Sequence, residues 1–178
     1  ELIVVDGGSI DKTLSILSKY KEQISLLISE NDEGQYNAIN KGFSKATGEI
    51  LAWLNADDIY FPWTLAHVAN FFSKYPSQSW LSGSTSLMNE NGLINGFSSN
   101  VIAKPNKFVR NGWFRSRLYG YLQQEGMFWR KELWEQVGGL NENYKLASDF
   151  ELWTRFSNKS SLVSFGLPLA CFRKRMSS

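Results

Sequence analysis

Short apolar runs alternate with amphipathic stretches along residues 1–75. The runs at 2–6, 24–29 and 49–54 have the length and continuity of strands that are covered on both faces. Between and after them, apolar side chains spaced three and four apart predict three helices, the last of which opens near Pro62. This order of strand and helix predicts βαβ units and a mostly parallel sheet.

The pattern changes beyond residue 79, where regular alternation of strand and helix ends. An "ENG" turn between two strand-like stretches predicts a hairpin. We therefore expect a single α/β domain in two segments, 1–75 and 76–178. The elements expected after the hairpin are a loop with a short helix at 101–122, a strand at 125–130, helices at 131–139 and 149–157, and a strand at 161–173.

Composition narrows the class of protein without naming a function. Hydrophobic residues make up 43% of the 178 residues, which is enough for a sizeable core. A net charge of +2 gives no strong field for nucleic acid, and the single Cys171 excludes an internal disulfide or a cysteine metal cluster. No apolar run reaches the length of about 18 residues that a membrane helix needs. Because the chain opens directly in a core strand, we expect an upstream segment.

Acidic side chains follow three of the predicted strands. Asp6 ends the first, Glu30 and Asp32 follow the second, and Asp57 and Asp58 follow the third. In an open parallel sheet, ligands bind at the carboxyl ends of the strands, so these acids should face one crevice. A nucleotide with a divalent cation suits such a crevice, because carboxylates bind both the cation and ribose or base groups.

Each acid taken alone also fits a helix cap or a strand end. A cap explains one member of the Asp57–Asp58 pair but leaves the other unexplained. Asp149, in "KLASDFELW", is either an N-cap or a general base held near a reacting hydroxyl. The "DGGS" stretch at 6–9 is too short for a dinucleotide fingerprint and argues against a classical NAD-binding domain. A basic loop, with Lys104, Lys107, Arg110, Arg115 and Arg117, either meets phosphates or is simply solvated.

Four motifs in order resemble the family 2 glycosyltransferases, which are inverting enzymes of the GT-A fold. They are "VVDGGSIDKT", "SENDEGQYNAINKGFSKATGEILAWLNADD", "QQEGMFWRKELWEQVGGLNENY" and "SDFELWTRF". The resemblance covers nearly the whole chain. It implies a mostly parallel central sheet flanked by helices, with a smaller mixed part on the acceptor side. It also implies a nucleotide-binding half at 1–75 and an acceptor-binding half at 76–178.

The resemblance implies roles for residues of the nucleotide side. Asp6 matches the acid that contacts the donor nucleoside, and Asp32 a position near base and ribose. Lys41 lies in a helix that borders the nucleotide site. The family's acidic triplet aligns with Asn55, Ala56 and Asp57, which makes Asp57 the metal ligand and Asp58 a supporting acid beside it.

On the acceptor side, the resemblance places Gln124 and Glu125 facing the acceptor and the donor sugar. Asp149 matches the catalytic base, and Trp153 lies in the helix behind it.

Three departures from the family pattern stand out. Asn55 replaces the usual first acid of the triplet, although an amide can still contact ribose or a metal-bound water. The family's first strand and loop, which hold the nucleobase, have no counterpart in the sequence. A late histidine that many members use near the metal or diphosphate is replaced by "CFRKR", in which Arg173 or Arg175 could contact the diphosphate.

The function implied is transfer of a sugar from a nucleotide-diphospho-sugar, expected to be UDP-linked, to an acceptor hydroxyl with inversion. Mg²⁺ or Mn²⁺ is the implied cofactor, and a saccharide or lipid-linked saccharide the implied acceptor, as in polysaccharide biosynthesis. A cytoplasmic location is expected, with peripheral association at the inner membrane face left open. Two alternatives also stay open: a domain that binds nucleotide sugar without turnover, and a nucleotidyltransferase.

Overall fold

A computed structural model of the chain describes residues 1–97, 104–116 and 120–174. Helices and strands follow one another closely along these ranges, and short 3₁₀ turns occur at Ser18–Tyr20 and Gln124–Gly126. The elements are β1 (Ile3–Asp6), α1 (Thr13–Leu17), β2 (Leu26–Ser29), α2 (Gln35–Lys45), β3 (Ile50–Leu51), β4 (Ile59–Tyr60), α3 (Thr64–Lys74), β5 (Trp80–Met88), β6 (Ile94–Phe97), α4 (Asn106–Arg110), β7 (Arg115–Ser116), β8 (Gly120–Tyr121), β9 (Met127–Arg130), α5 (Lys131–Val137), α6 (Ser148–Lys159) and β10 (Val163–Arg173).

The chain opens with the βαβ unit that its apolar pattern predicts. Strands β1 and β2 pair in parallel, with Ile3 opposite Leu26 and Asp6 opposite Ser29. Helix α2 packs on β1 at Gly42, where an added Cβ would lie 3.2 Å from Val5 Cγ2. The absence of a side chain at Gly42 thus brings α2 close to the strand that carries Asp6.

The larger sheet is mixed, which corrects the expectation of a mostly parallel sheet. Its strands run in the order β3-β9-β5-β10-β4, and β6 pairs with β5. Only the β5–β10 pair is parallel within it, since β3, β4, β6 and β9 run antiparallel to their neighbours. Strand β9 lies between β3 and β5. The strand order therefore depends on long-range contacts, which a local sequence pattern does not predict.

Two apolar clusters cover the two faces of this sheet. Trp80 and Trp129 point into one cluster, while their neighbours Leu81 and Phe128 point into the other, as the two-residue period of a strand requires. The first cluster lies against α5 and α6 and includes Trp153, and the second lies against α3. Much of the tryptophan content therefore forms core, since Trp80, Trp129 and Trp153 are all 0% exposed.

The third predicted strand is shorter than its apolar run. It was expected to reach residue 54, but β3 ends at Leu51, and residues 52–58 leave the sheet as a loop. The hairpin is confirmed, with a turn closed by the hydrogen bond from Gly92 N to Asn89 O. Within the described residues, no helix combines the length and apolar character needed to cross a membrane.

Candidate active site

Asp6, at the end of β1, is only 7% exposed and is held by hydroxyl and amide donors. Its carboxylate accepts from Ser29 Oγ at 2.7 Å, from Ser9 N at 3.1 Å and from the Ser9 hydroxyl. These hydrogen bonds, those from the Ser9 and Ser29 side chains above all, hold the pKa of Asp6 below its ordinary value. Asp6 is thus an ionised acceptor that also fixes the turn after β1.

The loops after β1 and β2 meet, as the strand-end argument predicts. A Cβ at Gly7 would lie 2.4 Å from Asp32 Oδ2, so only glycine permits this approach. Asp32 Oδ1 accepts from Gly34 N at 2.8 Å, which turns the loop toward α2. Asp6 and Asp32 therefore lie on adjacent loops at one edge of the fold.

Lys41, on α2, lies beside the same loop through an ion pair. Its Nζ is 2.9 Å from Glu30 Oε1 and donates to Asn31 O at 3.5 Å. The hydrogen bond to Glu30 raises the pKa of Lys41. The positive charge therefore borders the predicted nucleotide side, with Glu30 as its partner.

The loop after β3 joins this edge through an amide pair. Gln35 Nε2, in the first turn of α2, donates to Asn55 Oδ1 at 2.7 Å. Asn55 Nδ2 in turn donates to Asp58 Oδ2 at 3.3 Å, and Asp58 N donates to Asn55 O at 3.1 Å. Ala56 is exposed at the tip of this turn, and Asp57 is half-buried. All three acid-bearing strand ends are thus linked.

Asp58 is 5% exposed and connects the loop to β10. Its Oδ1 accepts from Arg173 N at 2.9 Å, while the Arg173 guanidinium donates to the carbonyls of Asp57 and Glu90, each at 2.8 Å. Burial raises the pKa of Asp58, the Arg173 N–H opposes this rise, and the charge of Asp57 adds to it. Asp58 and Arg173 therefore stabilise the turn at 55–58. Arg175 lies outside the described residues.

Glu125 is the most deeply buried acid of the site, at 1% exposure. It lies in the 3₁₀ turn before β9, and its Oε1 has no hydrogen-bond partner in the part of the chain that the structure describes. Burial above all, together with the charges of Asp58 and Asp149, raises the pKa of Glu125 to about 7. Both side-chain atoms of neighbouring Gln124 are also buried without a described partner. This turn therefore presents unsatisfied polar atoms near two other acids.

Asp149 is the second residue of α6, and Ala147 rather than Asp149 is the N-cap. Burial raises the pKa of Asp149, while hydrogen bonds from the N–H groups of Phe150 and of Asp149 itself lower it. Ala147 has φ 63°, in the left-handed region that costs a residue with a Cβ about 1 kcal/mol or more. The carboxylate thus begins a helix directly after a strained residue.

Several polar residues around Asp149 were not identified from the sequence. Tyr36 fits the apolar spacing of α2, yet its hydroxyl accepts from Ser148 N at 3.2 Å. Asn40 and Glu142 pair at 2.6 Å and join α2 to the loop before α6. The amides of "YNAIN" recur one helical turn apart, and that spacing is the signal that would have found them.

The basic loop is only partly solvated. Lys104 Nζ donates to Ser82 Oγ at 2.6 Å, and burial lowers the pKa of Lys104 to about 8. Arg110 donates to Ser157 O at 3.3 Å. Arg117 lies outside the described residues. Lys104 is therefore a packed residue of the sheet face rather than a free surface charge.

The turn at 55–58 suits a cation that is shared with a ligand. Among the described residues, no three His, Cys, Asp or Glu side chains are grouped so as to hold a metal ion. Asp57 offers a half-buried carboxylate, and Asn55, two residues earlier, offers an amide oxygen. Mg²⁺ is commonly held by one or two carboxylates together with substrate phosphates, so this oxygen set fits such a cation but not an all-protein cage.

Comparison with known families and relatives gives a consistent result. Residues 1–132 match the family described as "Glycosyl transferase family 2". A PGL/p-HBAD biosynthesis glycosyltransferase of Mycobacterium bovis (strain BCG / Pasteur 1173P2) is 29% identical over 171 residues, covering 92% of this chain and 60% of the relative. An uncharacterized glycosyltransferase of Rickettsia typhi (strain ATCC VR-144 / Wilmington) is 28% identical over 167 residues, covering 91% of this chain and 51% of the relative. The chain thus spans only part of the length of these proteins.

Solved structures share the fold. S. aureus TarS 1-349 in complex with UDP-GlcNAc aligns with a TM-score of 0.73 at 21% identity, covering 100% of this chain and 50% of that chain. Mannosyltransferase PcManGT from Pyrobaculum calidifontis, in complex with GDP-Man and Mn²⁺, aligns with a TM-score of 0.66 at 20% identity, covering 97% and 47%. The predicted α/β fold of the GT-A type is confirmed.

Proposed function

Because the chain belongs to glycosyl transferase family 2, we propose that it moves a sugar from a nucleotide-diphospho-sugar to an acceptor hydroxyl with inversion. One observation carries the proposal: Asp58, Glu125 and Asp149 come from three distant segments and lie near enough for the charges of Asp58 and Asp149 to raise the pKa of Glu125. Buried acids with raised pKa values that come together from distant segments are typical of an active site.

The donor side of the site comprises the loops after β1 and β2. Asp6 and Asp32 supply carboxylate oxygens that can accept from ribose hydroxyls and base N–H groups. Lys41 borders this side through its pair with Glu30. UDP is the proposed nucleotide, which agrees with the UDP-GlcNAc bound by TarS, although GDP-Man is the ligand of PcManGT. Residues 1–75 would form the nucleotide-binding half.

Asp57 would hold Mg²⁺ or Mn²⁺ together with the donor diphosphate, and Asn55 would contact ribose or a metal-bound water. When bound, the cation would neutralise charge on the leaving diphosphate. Asp58 supports this site by anchoring the turn to β10, through Arg173 N at 2.9 Å. PcManGT with Mn²⁺ is a fold relative in which such a cation is present.

Asp149 would act as the base. Its pKa is raised by burial, which makes the carboxylate a stronger proton acceptor than an exposed aspartate. The proton of the acceptor hydroxyl passes to Asp149 as the hydroxyl oxygen bonds to the anomeric carbon and the bond to the diphosphate breaks. One displacement from the opposite face inverts that carbon.

Gln124 and Glu125 would contact the sugar between these two ends. Their buried atoms without a described partner, Glu125 Oε1 and both amide atoms of Gln124, can be satisfied by sugar hydroxyls. The acceptor, proposed to be a saccharide or a lipid-linked saccharide, would bind on the side formed by residues 76–178.

A second candidate function is nucleotide-sugar binding without turnover. Two observations favour it: Asn55 stands at the first acid position of the triplet, and the Asp58 carboxylate is engaged with Arg173 N and Asn55. In that case Asp57 alone would provide a carboxylate for the cation.

Calorimetry and a turnover assay separate the two functions. UDP is titrated into the chain with and without Mn²⁺. Turnover is then measured with simple glycosides as acceptors, as release of UDP from UDP-GlcNAc or UDP-glucose and release of GDP from GDP-mannose. Metal-dependent binding with turnover of one donor supports the transferase. Metal-dependent binding with no turnover of any donor supports the binding domain.

A further inference from the structure

We propose that helix α2 holds Asp149 in its catalytic position, with Tyr36 and Asn40 as the positioning residues. This inference rests on the proposed function, because it concerns the base of that reaction. It goes beyond that function by assigning roles to two residues that act through the loop before Asp149.

The loop that leads into α6 is held from within and by α2. Residues 142–147 are all exposed, and the loop ends on the left-handed Ala147, which persists only because its surroundings fix it. Inside the loop, Ser148 Oγ donates to Asn141 O at 3.0 Å, and Asn143 N donates to Asn141 Oδ1 at 3.1 Å. Helix α2 adds hydrogen bonds at both ends of the loop.

Asn40 holds the beginning of the loop with its whole amide group. Its Oδ1 accepts from Leu140 N at 3.0 Å, and its Nδ2 donates to Leu140 O at 2.9 Å and to Glu142 Oε1 at 2.6 Å. Asn37, one turn earlier, donates to the other oxygen of Glu142 at 2.8 Å. These two amide donors lower the pKa of Glu142, which keeps it a charged acceptor.

Tyr36 holds the end of the loop. Its hydroxyl accepts from Ser148 N, the residue before Asp149, at 3.2 Å. Burial raises the pKa of Tyr36, and the charge of Asp149 raises it too, so the phenol lies close to that carboxylate. The Tyr36 ring packs against the main apolar cluster, which limits its movement.

The same helix reaches the donor side of the site. Gln35, the neighbour of Tyr36, donates to Asn55 Oδ1 at 2.7 Å. Adjacent residues of one helix turn therefore contact the cation loop and the base loop. Helix α2 thus sets how the cation loop and the base loop lie relative to each other, and in-line attack would depend on that arrangement.

Arg155 attaches α6 to the segment after α5 through contacts that do not involve α2. It pairs with Glu151 at 2.7 Å and donates to the carbonyls of Val137 and Gly139, each at 2.7 Å. Because this clamp remains in an α2 variant, loss of one α2 contact should displace Asp149 without unfolding the chain.

Tyr36→Phe tests the proposal, since it removes one oxygen and keeps the ring. We expect kcat for UDP release to fall by about tenfold or more, because small misplacement of a catalytic group is costly. KM for the donor should stay within about twofold, since the hydroxyl that is removed bonds to Ser148 N on the base loop. Exchange of the Ser148 amide with deuterium should rise by about fivefold, as expected for loss of one hydrogen bond.

Tyr75→Phe is the matched control, because Tyr75 is 46% exposed and lies just after the end of α3. It should change neither kcat nor exchange at Ser148. Glu142→Gln is a second variant, which weakens the Asn37 and Asn40 contacts and should lower kcat in the same direction.

The outcomes of these experiments distinguish the positioning role from the proposed sugar transfer. Wild-type turnover with an unchanged kcat in both Tyr36→Phe and Glu142→Gln would overturn the positioning role and leave the transferase intact. A wild-type chain that turns over no sugar nucleotide would overturn the proposed function, and the positioning role with it. A fall in kcat at constant KM, with faster exchange at Ser148, supports the inference.

Discussion

Glu125 is a buried acid whose charge the fold disfavours. Its pKa is raised from 4.5 to about 7, so the folded chain binds a proton that the unfolded chain releases between these two values. Stability conferred by the protonated carboxyl is therefore fully present below pH 4.5 and is lost as pH rises toward 7.

Replacing Glu125 with Gln should remove this loss, because the amide is neutral at every pH. We expect the variant to unfold at a higher temperature than the wild type at pH 8, and the difference to vanish at pH 4. Thermal melts across this range in metal-free buffer measure it. Glu22→Gln, at an exposed position, is the control and should leave the pH dependence unchanged. A wild-type profile that is flat between pH 4.5 and 7 would contradict the assignment.

Substitutions at Asp57 and Asn55 should have opposite effects on metal binding. Asp57→Asn removes the carboxylate proposed for the cation, so Mn²⁺-dependent affinity for UDP should fall by about tenfold or more. Asn55→Asp restores the acid of the family pattern, and it should bind Mn²⁺ at least as tightly as the wild type. Calorimetry with UDP and Mn²⁺ ranks the two, and equal binding by Asp57→Asn and wild type would exclude Asp57 as ligand.

At the scale of elements, α6 joins the proposed base to the core. Asp149 lies at its first turn, and Trp153, one turn later, is 0% exposed and stacks on Trp53 at 5.8 Å and on Trp80 at 6.0 Å between ring centroids. A shift of the whole helix would therefore disturb the tryptophan cluster.

Trp153→Ala should destabilise the chain by about 3–5 kcal/mol, as expected for an aromatic residue removed from a packed core. Trp63→Ala is the comparison, because Trp63 is 40% exposed and stacks against Phe61 at 4.9 Å between ring centroids. Urea unfolding followed by circular dichroism measures both. A similar loss in the two variants would show that the cluster around Trp153 is not the main core.

Local patterns were sufficient for most elements and for part of the site. The spacing of Tyr36, Ile39 and Phe43 predicted α2, and the acids at strand ends predicted one shared edge. The apolar run at 49–54 predicted a strand that is too long, because residues 52–54 are half-buried in a loop rather than in a strand. Apolar character records burial, and burial does not require a strand.

At the scale of the whole molecule, residues far apart in sequence share one sheet. Strands β3 and β4 precede residue 75, yet they pair with β9 and β10 from the rest of the chain. Nothing local in the sequence encodes these pairs, which explains why the parallel order was overestimated. The contacts of Asn40 and Tyr36 with residues more than 90 positions away were missed for the same reason.

Asp149 is proposed to be the base of a sugar transfer. Asp149→Asn keeps the shape and the helix but cannot accept the proton, so kcat should fall by about a hundredfold or more. Glu22→Gln, the same change from carboxylate to amide at an exposed acid away from the site, is the control.

The decisive measurement is UDP release from a sugar nucleotide by wild type, Asp149→Asn and Glu22→Gln, with Mn²⁺-dependent UDP binding measured on the same samples. We expect Asp149→Asn to bind UDP like the wild type and to lose turnover, and Glu22→Gln to match the wild type in both. Turnover by Asp149→Asn at the wild-type rate would contradict the proposed role of Asp149.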